Sequence, residues 1–437
     1  MKRVLILAAA FICTTTLESN AQQLTLTLDG AVQLALDENP TIKIADMEIE
    51  RYDYVRKTTM SYLLPQASID GTLNRTLKSQ DMAKGFSFSS DPYNTFTTTA
   101  NLSLALYSPS VYRTLKMNRS QAEAAVESAR SSRIDLIAEV KNSFYGILLA
   151  EQSLAVLEEN SKTAKQTVDE SQIKYQNGIL SEYDLLTAQV QYSNLQPLII
   201  QTEAAITIAK DLLKMYLFLP TTVDIEVKGD LNRLRDIVLE GSSNLALDLS
   251  GNSSLRSLAL QSEILESQLR VSQASRLPTL AAYGSISLTG NNMVSTYSSS
   301  SSTGYFWQQP SSVGLSLSIP IFQGLYNVNA ARSITNQIDQ LTLTRAYTEQ
   351  SVVVSISNAI TNINTAREQM FAQEQTVSQA KKAYTISESR YNAGAGTILE
   401  LNSARLSLTQ AELSFSQAIY DLLVARSEYD KIIGIEN

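Results

Sequence analysis

Between Ser312 and Gly324 the chain alternates without a slip. Val313, Leu315, Leu317, Ile319 and Ile321 fall on one side of an extended segment, and Ser312, Gly314, Ser316 and Ser318 on the other. Side chains of a strand point to opposite faces in turn, so this strand is apolar on one face and wet on the other. Three more segments carry the same code. Ala67, Ile69, Gly71 and Leu73 alternate with Ser68, Asp70, Thr72 and Asn74. Ala100, Leu102, Leu104 and Leu106 alternate with Thr99, Asn101 and Ser103. The fourth set is Leu280, Ala282, Gly284, Ile286 and Leu288. Polar loops, 78–94 and one around Ser298–Ser302, separate the members of each pair.

Between the alternating segments the period changes to that of a helix. From Ser110 to Gln176 there is no proline and a single glycine, Gly146, and Tyr326–Asn392 is its counterpart. At 1.5 Å per residue each such helix is about 100 Å long. Helices of this length need partners along their whole course, which predicts a coiled-coil-like assembly. An Ala-rich seam (Val111, Leu115, Ala122, Val126, Ala129, Leu136, Val140, Phe144, Ile147, Leu154) predicts close backbone packing. Returning helices over 181–217, interrupted and kinked at Pro197, and 397–432 close two helical hairpins. A further helix runs from Leu28, capped by Thr27, to about Tyr62, with a break at Asn39-Pro40.

These elements repeat. Leu64-Pro65 and Leu277-Pro278 open corresponding strands 213 residues apart, and Tyr175-Gln176-Asn177-Gly178 corresponds to Tyr391-Asn392-Ala393-Gly394 at an offset of 216. A period this long marks an internal duplication rather than a solenoid. The expected organisation is a signal peptide over 1–21, a first repeat over 22–219, a connecting region over 220–252 and a second repeat over 253–437. Met1-Lys2-Arg3, the apolar run Val4–Ile12 and the small-residue exit at Ala21 carry the signal-peptide pattern.

Composition narrows the chemistry. The chain has no His, and its one cysteine, Cys13, lies in the leader, so disulfides, Cys/His zinc sites and histidine catalysis are excluded from the mature protein. No phosphate-cradling glycine loop is present, so no cofactor or metal is expected and the chain does not read as an enzyme. Cleavage after Ala21 leaves 33 basic against 42 acidic residues, a net charge of −9, which argues against a nucleic-acid partner. Beyond the leader no apolar run reaches the roughly 18 residues of a membrane helix, which leaves a β-barrel as the membrane-spanning option.

Four strands cannot close a barrel alone, because the smallest membrane barrels have about eight and open edges are not tolerated in lipid. Two chains would give a barrel filled by its own side chains; three give twelve strands and room for a lumen. Aromatic residues near the strand ends (Tyr62, Tyr107, Phe306, Trp307, Phe322, Tyr326) suit either an interfacial belt or ordinary packing. The two Tyr-x-x-Gly turns have helix-stop chemistry, with Gly178 and Gly394 suited to a left-handed cap. Ser181 with Asp184, and Thr397 with Glu400, have capping-box spacing.

Taken together, Leu26-Thr27-Leu28-Asp29-Gly30-Ala31-Val32, Asn39-Pro40, the two Leu-Pro strand entries, Leu317-Ser318-Ile319-Pro320-Ile321-Phe322-Gln323-Gly324 and the paired Tyr-x-x-Gly turns make the chain resemble the TolC-like outer-membrane efflux proteins. The resemblance covers nearly the whole mature chain. It implies a mainly α protein with a β-barrel part: a homotrimeric twelve-stranded barrel in outer-membrane lipid, continued by a long α-helical barrel in the periplasm. It implies a passive exit duct fed by an inner-membrane pump through a periplasmic adaptor protein. By position it assigns Asp184, Tyr391 and Glu400 to the periplasmic constriction. Gly178, Ile179, Leu180 and Ser181, with Gly394, Ala395, Gly396 and Thr397, become the adaptor-contact turns. An arginine that latches the closed state in the family falls here on Gly396, so the gate is expected to rely on fewer or different contacts. Two alternatives stay open: the outer channel of a type I protein-secretion system, and a fibrous surface protein built on long helices.

Overall fold

A computed structural model describes residues 24–77, 93–241, 245–291 and 306–436. The chain divides into two compact units. One comprises the residues up to Asn39 with Leu136–Leu245 and Ala359–Glu428; the other comprises Pro40–Asp135, Ala246–Asn358 and the residues from Tyr429 onward.

Five antiparallel strands, two of them sharing one position in the sheet, occupy the second unit among the described residues. β2 (Gln66–Thr76) pairs with β3 (Tyr93–Tyr107), and β3 pairs with β5 (Thr279–Asn291). β5 then pairs with two short segments in tandem, β6 (Phe306–Gln308) and β7 (Ser311–Ser318). The loop expected over 78–94 lies outside the described residues up to position 92, and its last two positions, Tyr93 and Asn94, already belong to β3; the loop around Ser298–Ser302 also lies outside the described residues.

The strand read from Ser312 to Gly324 is therefore shorter than its alternation suggests. Its pairing ends at Ser318, opposite Thr279, where β5 itself begins after Pro278. Ile319 onward has no neighbour to pair with, and Pro320 has no N–H to offer. Gly324 (φ 58°) and Leu325 (φ 63°) then swing the backbone into α7 (Tyr326–Asn392). Pro310 divides β6 from β7 for the same reason, and its carbonyl accepts from the Ser287 N–H at 2.9 Å.

The helices follow the expected order. α1 (Leu28–Glu38) starts at Thr27, whose hydroxyl accepts from the Gly30 N–H, and stops at Asn39, whose side chain donates to the Tyr216 carbonyl at 2.7 Å. α2 (Pro40–Ser61) leads into β2. α3 (Pro109–Gln176) and α7 run unbroken for 68 and 67 residues, and α4 (Glu182–Tyr216) and α8 (Ile398–Ile433) are the returning helices. α4 passes through Pro197 without interruption, contrary to the expected break; the proline removes one N–H from a helix with 35 residues of other bonds. Along the α3 seam, Ala129, Leu136, Val140, Phe144 and Ile147 are buried as expected. Val126 is exposed, while its neighbours Ala125 and Glu127 are buried.

Two short strands were not legible in the pattern. β1 (Leu24–Leu26) and β4 (Ile225–Val227) form a parallel ladder in the first unit, with Leu26, Ile225 and Val227 buried. α5 (Leu231–Gly241) follows in the same unit. A Cβ on Gly229 would sit 3.0 Å from Leu148 Cδ1, so the connecting region lies hard against α3.

In the second unit, α6 (Ser253–Ala274) is capped by Asn252, whose amide also donates to the Ile432 carbonyl. Nearby, Glu127, almost wholly buried, pairs with Arg130 (2.9 Å) and Arg256 (3.1 Å). Arg130 also donates to the Gly251 and Gly434 carbonyls and pairs with Glu436. This network ties the chain's last turn to the start of α6.

Candidate functional site: a two-faced wall and two helical turns

Register settles the two faces of the sheet. Leu102 lies opposite both Ala67 and Gly284, Ala100 opposite Ile69 and Ile286, and Val313, Leu315 and Leu317 opposite Gly284, Ala282 and Leu280. All are apolar-face positions, and Ile69, Leu73, Val313 and Leu315 are 77, 74, 89 and 67 % exposed. A row of large aliphatic side chains left this bare has to be covered by something apolar.

The other face is hydrogen-bonded. Asn101 Nδ2 donates to Asp70 Oδ2 at 3.0 Å, Thr99 and Ser287 hydroxyls meet at 3.1 Å, and those of Ser285 and Ser312 at 2.9 Å. Asp70 is the single ionisable carboxylate on that face among the described strands. Glycines carry aromatic rings across the strands. On this face Tyr283 lies over Gly314; on the aliphatic face Trp307 lies over Gly290 and meets Phe96 edge-on at 6.2 Å. Such pairs fill the gap a strand glycine leaves and pin the register.

The helical turns belong to the first unit and close as their chemistry requires. Gly178 adopts φ 71°, and the Ile179 N–H returns to the Lys174 carbonyl at 2.9 Å. Ser181 then caps α4 by accepting from the Asp184 N–H at 3.2 Å, and its hydroxyl donates to Asp184 Oδ2 at 2.6 Å. The second turn repeats the plan: Gly394 adopts φ 70°, the Ala395 N–H returns to the Arg390 carbonyl, and Thr397 accepts from the Glu400 N–H.

Here the two turns diverge. Glu400 turns toward Arg390, at 3.7 Å, and Arg390 also donates to the Ala395 carbonyl. The cation of this turn is therefore Arg390, six residues before Gly396. Gly396 has its own reason to be small: a Cβ there would lie 3.1 Å from the Tyr391 nitrogen and 3.2 Å from Arg390 Cβ. Tyr391 carries the Lys174 ammonium 4.8 Å above its ring, which brings the ends of α3 and α7 together. Asp184 has its contacts within its own turn, with Ser181.

Behind the turns runs a polar seam that no sequence signal marked. Arg405, 3 % exposed, donates to Thr167 Oγ1 at 3.1 Å and stacks on Tyr384, whose hydroxyl donates to Glu388. Burial pushes the Tyr384 phenol above its ordinary range, against a smaller opposing pull from Arg405. Tyr183, Leu186, Val190, Leu399 and Leu406 line an open apolar groove of about 570 Å³ between α4 and α8. Buried Asn402 edges it with both amide atoms unpartnered among the described residues.

Comparison with known proteins gives the frame for both features. The model of the family described as outer membrane efflux protein matches residues 31–217 and 245–434. The chain is 23 % identical over 404 residues to the alkaline protease secretion protein AprF of Pseudomonas aeruginosa, covering 91 % of this chain and 82 % of that one. It is 22 % identical over 356 residues to the outer membrane protein TolC of Escherichia coli, covering 79 % and 71 %. The solved structure of the outer-membrane channel OprN superposes with a TM-score of 0.72 at 17 % identity, over 93 % of this chain and 89 % of that one. That likeness is one of fold.

Proposed function

The chain belongs to the outer membrane efflux protein family, and from that premise we propose that three copies build one outer-membrane exit duct. It is an outer-membrane channel protein of that family. The observation that carries the reading is the two-faced sheet with two open edges. Among the described residues, β2 pairs on one side alone, with β3, and β7 on one side alone, with β5. Strand direction alternates along β2-β3-β5-β7, so β7 of one copy and β2 of the next run antiparallel and continue the ladder. Three copies close the edges that lipid would not tolerate. The aliphatic face then meets lipid and the Ser/Thr/Asn face lines water.

This assignment has a direct test. Leu315→Arg destabilises membrane insertion by about 2–4 kcal/mol if the residue sits near the bilayer midplane. Ser316→Arg, one residue on, inserts normally and alters conductance instead. Equal insertion of the two variants, followed by folding into vesicles of defined lipid, would remove lipid contact from the aliphatic face, and a defect in Ser316→Arg alone would put the faces the other way round.

Energy and substrate selection come from elsewhere: an inner-membrane pump, joined through a periplasmic adaptor that meets the two turns. Ile179 is three-quarters exposed, and the turns offer backbone and small side chains for a close-fitting tip. Bulky charged substitutions at Leu180 and Gly396 uncouple pumping while trimers still form. Full drug export by cells carrying Leu180→Glu and Gly396→Glu together would remove the turns from the adaptor interface.

Asp184, Tyr391 and Glu400 act as the constriction, where three-fold rings of carboxylate favour cations. A second reading, the outer channel of a protein-secretion system, is favoured by the similarity to a relative named for alkaline protease secretion. Export of a fluorescent drug against export of an unfolded reporter protein, in the same host with each pump supplied, separates the two.

A further inference from the structure

Where the strands give way to helices, the charge of the chain reverses sign. Overall it is acidic, with a net charge of −8. The segments leading into or out of the strands, 52–65, 108–118, 265–278 and 319–335, carry seven cations against two carboxylates. Ten residues farther along the same helices (42–51, 119–128, 255–264 and 336–345) the count is five cations against seven carboxylates. The basic band is thus one layer deep, and it lies in a single compact unit.

Every cation of the band is exposed. Arg56 and Lys57 share Asp53, Arg270 pairs with Glu266, and Arg276 donates to the Asn327 carbonyl. Arg113, Lys116 and Arg332 have no ion-pair partner among the described residues. A second observation falls on the same layer: Tyr62, Tyr107 and Tyr326 stand 57, 49 and 71 % exposed at the strand–helix junctions. Amphipathic rings of this kind settle at headgroup depth.

We propose that this band is a contact surface for the anionic phospholipid headgroups of the leaflet that meets the helix-bearing ends of the strands. The inference rests on the outer-membrane reading of the sheet. Confinement to one layer is what the physics requires, since attraction to a charged surface fades within a Debye length of about 10 Å. Arginine and lysine suit a phosphate diester, the first as a fork and the second as a point charge.

The test uses the full-length protein in neutral detergent, with retention of phosphatidylglycerol and phosphatidylcholine read by native mass spectrometry. Each cation near an anionic surface is worth about fivefold in affinity. The triple variant Arg113→Gln, Lys116→Gln, Arg332→Gln therefore binds phosphatidylglycerol on the order of a hundredfold more weakly and phosphatidylcholine unchanged. The charge-matched control Lys162→Gln, Lys165→Gln, Lys382→Gln keeps wild-type retention. Inorganic phosphate at millimolar concentration does not displace the lipid; displacement would assign the band to free phosphate and overturn the proposal. Wild-type retention in the triple variant, or retention by the wild type that is indifferent to salt, also overturns it. Conductance in purely neutral bilayers is kept by wild type and variant alike. Its absence in both would strike at the channel reading, independently of the lipid result.

Discussion

Replacing Asp184 and Glu400 with alanine raises the conductance of the reconstituted channel several-fold and weakens its preference for cations. Two contributions act together. In the proposed constriction each carboxylate, repeated by three-fold symmetry, forms a ring of negative charge, and removing the rings removes both the bulk and the field that selects cations. Glu400 also pairs with Arg390 at 3.7 Å, with both side chains about half exposed. An exposed pair of this kind holds by no more than about 1 kcal/mol, so the contact is weak in each copy. Arg390→Ala should accordingly raise conductance with a smaller amplitude while strengthening the preference for cations, because it leaves the Glu400 carboxylate without its cation. The fold of the turns survives these changes, because Ser181 and Thr397 still cap the backbone N–H groups of residues 184 and 400. Bilayer recordings that match wild type would take Asp184 and Glu400 out of the constriction.

The largest effect on stability is expected from Arg130→Met. Glu127 has a side chain only 5 % exposed, and Arg130 is its closer partner at 2.9 Å. Taking one member from a buried pair costs about 3–5 kcal/mol, because the other charge stays desolvated. The value here falls toward the lower end, since Arg256 remains at 3.1 Å from the same carboxylate. Arg130 further holds the Gly251 and Gly434 carbonyls, so the last turn of the chain loosens with it. Adding Glu127→Gln to Arg130→Met should restore most of the loss, as removing both charges leaves no buried charge unpaired. Thermal unfolding of the purified protein reads both variants, and a single variant as stable as wild type would contradict the network's role.

The wall was legible because a pleated strand has a period of two and lipid demands an uninterrupted apolar face; β2, β3 and β5 follow from alternation alone. β7 was overread because polarity keeps alternating through Ile319 and Ile321, whereas pairing ends where β5 ends and where Pro320 has no N–H. The break at Pro310 was hidden by the same regularity. β1 and β4 are three residues each, too short to impose a period, and exist because each supplies the other's ladder. Pro197 misled in the opposite sense, since a long helix buried on one side absorbs the loss of one hydrogen bond.

At the turns, glycine and capping chemistry were visible residue by residue. Arg390 was not, because a cation near a helix end looks like any solvated charge until its partner is known. Arg405 and Asn402 escaped for a related reason. Polar residues in a helical seam read as surface, and here they lie inside.

The central claim is that β2 and β7 of neighbouring copies join. Cys13 is the chain's one cysteine, so in a Cys13→Ser background a cysteine at Ser68, Asp70 or Thr72 combined with one at Ser312 or Ser316 can form disulfides only between the introduced positions. On oxidation in outer membranes, denaturing gels should show one, two and three linked chains, with nothing larger, for the combinations in register. Linkage confined within single chains, or a ladder that continues past three, would contradict a barrel closed by three copies.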